Sequence, residues 1–291
     1  MFCANMKPTT SRNAAAIAAL GIWATAGIAQ AAVVEGGGDV PPVSGAPMGK
    51  VAVRRGVQGP AGLLTLRLNL LVNASSDAFG KPTSLAPDIY YAISDTVQIG
   101  LVHTLPMGWQ TLPGVSLCLT GKDNGCAKPY NNVGFDFMYG LLYGDVHLSV
   151  HSSLYLLQIS DPTWLMWTIG LAGKIHFNSA VALFFDPQVG IALTSRDAAV
   201  NPNKDQLFLP VELQFQATSM LAVKLLSGVT GQLSALGDTV RAPLGLGLVG
   251  NINESFDLGL RFSFDNLLGH QPDGASRTDQ RSIGLLGVIR I

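Results

Sequence analysis

Hydrophobic and polar positions alternate one by one along most of the chain. From Phe256 to Phe264 each even-numbered position carries a large apolar side chain, and each odd-numbered position is polar or glycine, including Asp257 and Arg261. Successive side chains of a strand point to opposite faces, so this segment has one apolar face and one charged face. The pattern recurs about a dozen times in segments of roughly ten residues, the length that crosses a bilayer as a tilted strand. It predicts an all-β protein, an antiparallel up-and-down transmembrane β-barrel.

We place about twelve strands on this pattern. They cover residues 64–72, 84–94, 96–104, 133–142, 146–156, 164–175, 179–193, 206–216, 219–230, 240–249, 256–265 and 281–291. Four of them contain a proline that lacks a donor for the sheet, and we expect bulges or strand ends at Pro87, Pro187, Pro210 and Pro243.

The connections between these strands alternate in length. Those after the even-numbered strands are short, such as the three residues 143–145, whereas most of the others are longer, up to residues 105–132. Outer-membrane barrels have short periplasmic turns and long external loops, and an even strand number in single-chain bacterial cases. The alternation therefore predicts that both ends of the barrel domain, residues 63–291, lie on the periplasmic side.

Charged residues fall on one face of the predicted strands. The apolar face carries no Asp, Glu, Lys or Arg between its ends, and its one ionisable group is His103 near an external strand end. A charge facing lipid at the midplane costs about 2–4 kcal/mol, so the polar face is the lumen. Near-equal numbers of acids and bases there predict weak ion selectivity. The charged side chains form either a constriction that selects solutes or a salt-bridge network that stabilises the interior. The candidate lumen-lining residues are Arg67, Asp88, Asp136, His147, His151, Lys174, Asp186, Glu212, Lys224, Arg241 and Arg261.

Composition supports a surface that faces something other than water. Hydrophobic residues make up 48% of the chain and charged residues only 13%, and the net charge is −1. Soluble proteins average about 25% charged residues. The charge balance and the lack of a Lys/Arg cluster argue against nucleic acid as a partner. A β-sandwich and a periplasmic lipid-carrying barrel of about eight strands remain as soluble alternatives.

The N-terminus has the features of a secretory signal. Lys7 and Arg12 precede an apolar, Ala-rich stretch, and Ala29 to Ala31 forms a small-x-small cleavage site. We expect residues 1–31 to be removed, although an uncleaved helical anchor is the alternative. Residues 32–62 are rich in Gly, Pro and Val without alternation, which is consistent with a periplasmic tail or with a plug inside the barrel.

Cysteine usage fits an oxidising compartment. Only Cys118 and Cys126 lie beyond the predicted signal, and they bracket a short polar stretch in the longest external loop. We expect a disulfide between them, because a metal site needs further ligands nearby. No cofactor-binding motif is evident, so we expect neither a cofactor nor a metal.

The chain resembles Gram-negative outer-membrane β-barrel proteins. The resemblance rests on the signal, the alternating strands and the terminal segment 281–291, although the family usually ends in an aromatic residue where this chain has Ile291. It implies an outer-membrane location, contact with outer-membrane lipid and lipopolysaccharide, and insertion by the barrel-assembly machinery. Residues 87–101 also resemble a strand pair of barrels associated with phenol meta-pathway degradation, a family taken to move small organic compounds.

Three functions follow from these observations. The first is a channel for passive diffusion of small solutes through a charge-lined lumen. Small organic compounds are one candidate class of solute. The second is a lipid- or lipopolysaccharide-modifying hydrolase, since His147 and Ser149, or His151 and Ser153, share one strand face as a base and a nucleophile must. The third is a non-conducting structural or adhesion barrel. The polar His and Ser residues line the lumen rather than the lipid face, which favours the channel over the enzyme.

Overall fold

The structure is a computed structural model that describes residues 49–106, 116–200, 202–271 and 276–291. The predicted signal, its cleavage site and residues 32–48 lie outside the described residues. No helix in these ranges has the length and apolar character needed to cross a bilayer.

Fourteen strands form one antiparallel sheet in the described ranges. They are β1 (Leu64–Asn73), β2 (Thr83–Ala92), β3 (Val97–Val102), β4 (Leu117–Cys118), β5 (Val133–Leu142), β6 (Val146–Gln158), β7 (Trp164–His176), β8 (Val181–Phe185), β9 (Gln188–Ala192), β10 (Gln206–Thr218), β11 (Leu221–Gln232), β12 (Leu244–Asn251), β13 (Phe256–Phe264) and β14 (Arg281–Arg290). Within the same ranges, helical structure is limited to single turns at Ala52–Arg54, Ser76–Ala78, Lys122–Asn124, Leu233–Ala235 and Leu236–Thr239.

The sheet closes on itself as a barrel of twelve staves. β1 pairs with β2 on one side and with β14 on the other, so the first and last staves are neighbours. β8 and β9 each pair with β7 and β10 and together form one stave, whereas β4 is a two-residue strand paired with β2. The predicted all-β fold and the predicted strand number are both confirmed.

The prolines lie where a ladder hydrogen bond is interrupted. Pro187 occupies the break between β8 and β9, and Pro243 precedes β12, as expected. Pro87 and Pro210 instead lie within β2 and β10. Pro87 faces the gap between the β3 and β4 pairings, and Pro210 lies opposite the break before Gln188. The missing donors therefore cost no sheet hydrogen bond.

The outward face of the barrel is an exposed apolar belt. Its exposed members include Leu101, Phe135, Phe137, Leu154, Trp167, Leu171, Phe215, Leu246, Leu258, Leu260 and Leu285. A belt of this composition suits lipid tails and would be costly in water. His103, predicted on this face, is instead 8% exposed, and its ring contacts the carbonyl of Pro87 and the Tyr130 hydroxyl. The chain turns inward after β3 ends at Val102, which the alternation did not indicate.

The two ends of the barrel differ as predicted. The connections β2–β3, β5–β6, β7–β8, β10–β11 and β12–β13 are two to four residues long. The Leu64 amide bonds the carbonyl of Ile291 at 2.9 Å, so both termini of the barrel lie at this short-turn end. The disulfide between Cys118 and Cys126, with a Cα–Cα distance of 6.1 Å, lies in the long loop at the opposite end.

Candidate functional site

Residues 49–62, which we call the inner segment, lie against lumenal side chains at the short-turn end. Its backbone amides at Gly59 and Ala61 donate to Gln98 Oε1 at 3.1 Å and to Asp95 Oδ1 at 2.8 Å. The Lys174 ammonium donates to the carbonyl of Ala52 at 2.9 Å. These three partners belong to β3, its preceding turn and β7, so the inner segment spans several staves and narrows this mouth of the lumen.

An arginine of the inner segment forms the strongest of these contacts. Arg55 Nη1 lies 2.5 Å from Asp257 Oδ2, and Arg55 Nη2 lies 3.2 Å from Asp257 Oδ1. Arg290 Nη2 also donates to Asp257 Oδ2. All three side chains are at most 8% exposed. Two guanidinium groups therefore share one carboxylate, and the inner segment depends on that carboxylate for its attachment to β13 and β14.

His151 occupies the middle of β6 between two carboxylates. Its Nε2 lies 2.7 Å from Asp136 Oδ1, and its Nδ1 lies 2.9 Å from both oxygens of Asp186. With both acids ionised, each ring nitrogen must carry a proton to donate to them, and the ring is then the imidazolium. Ser153 donates to Asp136 at 2.6 Å, and Gln188 donates to Asp186 at 2.9 Å. The two acids thus share one cation, and Asp136 Oδ2 is buried with no hydrogen-bond partner among the described residues.

The break between β8 and β9 delivers Asp186 to His151. Leu171 on β7 donates its amide to the carbonyl of Pro187 at 3.1 Å. The neighbouring Gly170 has no room for a side chain, because a β-carbon there would collide with the same carbonyl. The glycine and the proline together bring the chain of β8–β9 inward at this level of the barrel.

A third ion pair lies on β10 and β11. Lys224 Nζ is 2.7 Å from Glu212 Oε1, and Gln214 also donates to Glu212. Every carboxylate on the wall of the central cavity is consequently paired with a cation among the described residues.

Three cations on the cavity wall form no ion pair with a carboxylate in the described ranges: Arg67, Lys174 and Arg261. Lys174 donates instead to the carbonyl of Ala52. Arg67 lies over the Tyr90 ring, with its guanidinium carbon 5.2 Å from the ring centre. Arg261 lies across Gly284, and its Nε and Nη2 atoms are buried with no hydrogen-bond partner in the described part of the chain. Both arginine side chains keep some surface on the lumen.

These groups surround a cavity of about 350 Å³. The inner segment contributes Ala52, Arg55 and Gly56 to its wall, and the chain after β3 contributes Thr104 and Leu105. Six bases and four acids line it, and the charged His151 adds to the bases. The bases on its wall are Arg55, Arg67, Lys174, Lys224, Arg261 and Arg290, the acids are Asp136, Asp186, Glu212 and Asp257, and Leu226 and Leu286 are among its apolar lining residues.

The eleven residues predicted from sequence to line the lumen occupy different places. Eight lie on the cavity wall: Arg67, Asp136, His151, Lys174, Asp186, Glu212, Lys224 and Arg261. Asp88 is fully buried and accepts three hydrogen bonds from His103 and Thr104. His147 packs against Gly56 of the inner segment and against the His176 ring. Arg241 is exposed, in the connection before β12.

Sequence reasoning missed the role of Arg55. The side chain lies in a segment with no alternation, so the sequence did not indicate which way it points or how deep in the barrel it lies. Its partner Asp257 does lie on the polar face of a predicted strand, which was the only available signal.

The histidine–serine pairs have a geometry that opposes hydrolysis. Ser153 donates to Asp136 at 2.6 Å and lies 3.4 Å from His151 Nε2, which is itself bonded to Asp136. An imidazolium with both nitrogens bound to carboxylates has no lone pair to accept a serine proton. Ser149 is buried on the lumen side, away from the lipid.

The long loops at the other end carry their own ion pair. Arg196 binds Asp205 through two bonds of 2.7 and 2.8 Å. The hydrogen bond from Arg196 lowers the pKa of the Asp205 carboxyl from its usual range, with a further contribution from the amide of Ala192. This pair joins the two ends of the loop between β9 and β10 and lies outside the spanning strands.

Solved structures of similar fold include two porins. The NanC porin aligns with a TM-score of 0.52 and 6% identity, over 77% of this chain and 98% of that one. The KdgM porin aligns with a TM-score of 0.50 and 6% identity, over 77% and 98%. This chain has the fold of an outer-membrane barrel. No family model matches the sequence, and no curated protein does. The barrel fold and the apolar belt together place the chain in the bacterial outer membrane.

Proposed function

We propose that this barrel is a passive channel for small solutes and that it prefers anions. The observation that carries the proposal is the pairing of charges on the cavity wall. Each of the four acids is bound by a cation, whereas Arg67, Lys174 and Arg261 have no carboxylate partner among the described residues.

Pairing changes the selectivity expected from sequence. A near balance of acids and bases predicted little preference, but a neutralised pair contributes only a weak field to a passing ion. The unpaired guanidinium groups lie in a narrow lumen with low-dielectric walls, where the field of an unpaired charge is strong. The lumen potential is therefore positive, and it attracts anions and repels cations.

The inner segment limits the rate of passage. It contributes to the cavity wall at the short-turn end and is held there by Arg55, Lys174 and several backbone hydrogen bonds. We expect a small conductance from the intact protein and a larger one when the segment is released.

Planar bilayer recording tests this function. The purified protein is inserted into a bilayer with a KCl gradient. We expect discrete current steps and a reversal potential whose sign shows that chloride is more permeant than potassium. Current absent from both the intact protein and an Asp257→Asn variant, with both folded, would contradict a channel. A reversal potential of the opposite sign, which would show that potassium is more permeant than chloride, would contradict the anion preference.

A further inference from the structure

The inward-facing positions around Arg261 on the barrel wall are mostly glycines, which have no side chains. Along the sheet, Arg261 on β13 pairs with Gly247 on β12 and with Gly284 on β14. Gly259, two residues before Arg261 on the same face, also lines the cavity. Three glycines on three adjacent strands therefore surround one guanidinium. The Arg261 side chain itself covers Gly284, and Leu286 borders Gly259, whereas Gly247 leaves room on the lumen side, with no atom closer than 3.5 Å to the position of a β-carbon.

Apolar side chains border this part of the cavity. Leu286 pairs with Gly259 across β13 and β14, and Leu226 on β11 lies 3.8 Å from the position a β-carbon would take at Gly247. Both point to the lumen and line the cavity. Interiors of outer-membrane barrels are generally polar, so inward leucines beside an arginine are a specific feature.

The guanidinium itself lacks acceptors. Nε and Nη2 of Arg261 are buried without a hydrogen-bond partner among the residues described, and no described carboxylate pairs with it. A buried donor that makes no hydrogen bond costs free energy, and a buried unpaired charge costs more. A planar carboxylate matches the donor fork of arginine better than a halide does, because it can accept two parallel hydrogen bonds.

We propose that this place is a binding subsite for a small organic carboxylate with an apolar body. The carboxylate binds Arg261, and the apolar body lies over Gly247 against Leu226 and Leu286. The 350 Å³ cavity falls in the size range of small-molecule pockets. The inference deepens the proposed function by giving its solute a chemical class, and it requires that the solute reach the cavity.

Binding is measured on the folded full-length barrel in detergent by saturation-transfer NMR, with benzoate as the probe. We expect saturable binding of benzoate. Benzamide, which has the same shape without the charge, and acetate, which has the charge without the apolar body, should each bind about tenfold more weakly. Equal binding of all three probes, or no saturable binding of benzoate, would overturn the subsite.

Variants assign the binding to these residues. Arg261→Gln should weaken benzoate about tenfold, whereas Arg241→Gln removes the same charge from an exposed position outside the cavity and should leave the affinity unchanged. If Arg261→Gln does not fold, Leu286→Ala serves instead: it should weaken benzoate and leave acetate unchanged. Benzoate affinity unaffected by a folded Arg261→Gln or Leu286→Ala variant would overturn the assignment.

The outcomes separate the two proposals. Discrete channel currents without benzoate binding would remove the subsite and leave the channel. Saturable benzoate binding in a barrel that conducts no ions would remove the channel and leave the subsite.

Discussion

Arg55 of the inner segment and Asp257 of β13 form a buried ion pair at the short-turn end, with Nη1 2.5 Å from Oδ2. The two residues are 202 positions apart in sequence. The pair joins the inner segment, which precedes β1, to β13. Arg290 shares the same carboxylate. Asp257 therefore supplies the ionic attachment of Arg55, beside the hydrogen bonds from Gly59, Ala61 and Lys174 that also hold the inner segment.

Removing that acid should release the inner segment. Asp257→Asn leaves Arg55 and Arg290 as two like charges without a counterion, and loss of one partner from a buried ion pair costs about 3–5 kcal/mol. We expect larger single-channel conductance than that of the unchanged protein. Asp279→Asn is the control, because it removes an acid from an exposed loop position. Equal conductance in Asp257→Asn and the unchanged protein would mean that this contact does not hold the inner segment.

The cluster of His151, Asp136 and Asp186 should stabilise the barrel through its charges. His151→Gln removes the cation and leaves two buried acids near each other, so we expect a loss of about 3–5 kcal/mol in the free energy of unfolding. Urea unfolding in lipid vesicles, followed by tryptophan fluorescence, measures this. The matched test is the triple change His151→Gln, Asp136→Asn and Asp186→Asn, which removes all three charges and should recover part of the loss. A triple variant less stable than His151→Gln would contradict an electrostatic cause.

Gly284 should control the position of Arg261. A β-carbon at Gly284 would lie 2.7 Å from Arg261 Cγ, so Gly284→Ala forces this side chain to move. We expect the chloride preference to fall and benzoate binding to weaken while the barrel still folds. Gly287→Ala is the control on the same strand, because a β-carbon there meets nothing within 4 Å. If the two alanine variants have the same reversal potential, the placement of Arg261 does not set the selectivity.

The disulfide should stabilise its loop and leave the barrel unchanged. Cys118 and Cys126 are eight positions apart, and closing a loop of that size contributes about 2–3 kcal/mol in the chain-entropy account. Cys118→Ser should therefore speed proteolysis between residues 116 and 130, with the heat-modifiable migration of the barrel unchanged. Unfolding of the barrel itself on loss of the bond would show that the loop supports the strands.

The strands could be predicted from sequence because one physical constraint acts on every stave. Lipid excludes charge from the outer face, so alternation appears at each strand, as at Leu258, Leu260 and Arg261. The break at Asp186 and Pro187 was less accessible, since it depends on the close approach of Gly170 on a neighbouring strand. Alternation also extended β3 to residue 104, beyond the point at which the chain turns inward.

The lumen was predicted as a set of residues but not as a set of pairs. Alternation assigns His151, Asp136 and Asp186 to the same face, whereas their contact depends on strand register and on the break before Gln188. Pairing decides the field inside the barrel, because it leaves Arg67, Lys174 and Arg261 without acids. The contribution of Arg55 comes from a segment without periodicity, for which no sequence pattern indicates depth.

The most direct test of the account is the reversal potential of single channels under a KCl gradient, compared between the unchanged protein and a variant carrying Arg67→Gln and Arg261→Gln. We expect chloride preference in the unchanged protein and its loss in the variant, with current persisting in both. A folded protein that conducts no ions even after Asp257→Asn, or that keeps the same reversal potential without both arginines, would contradict it.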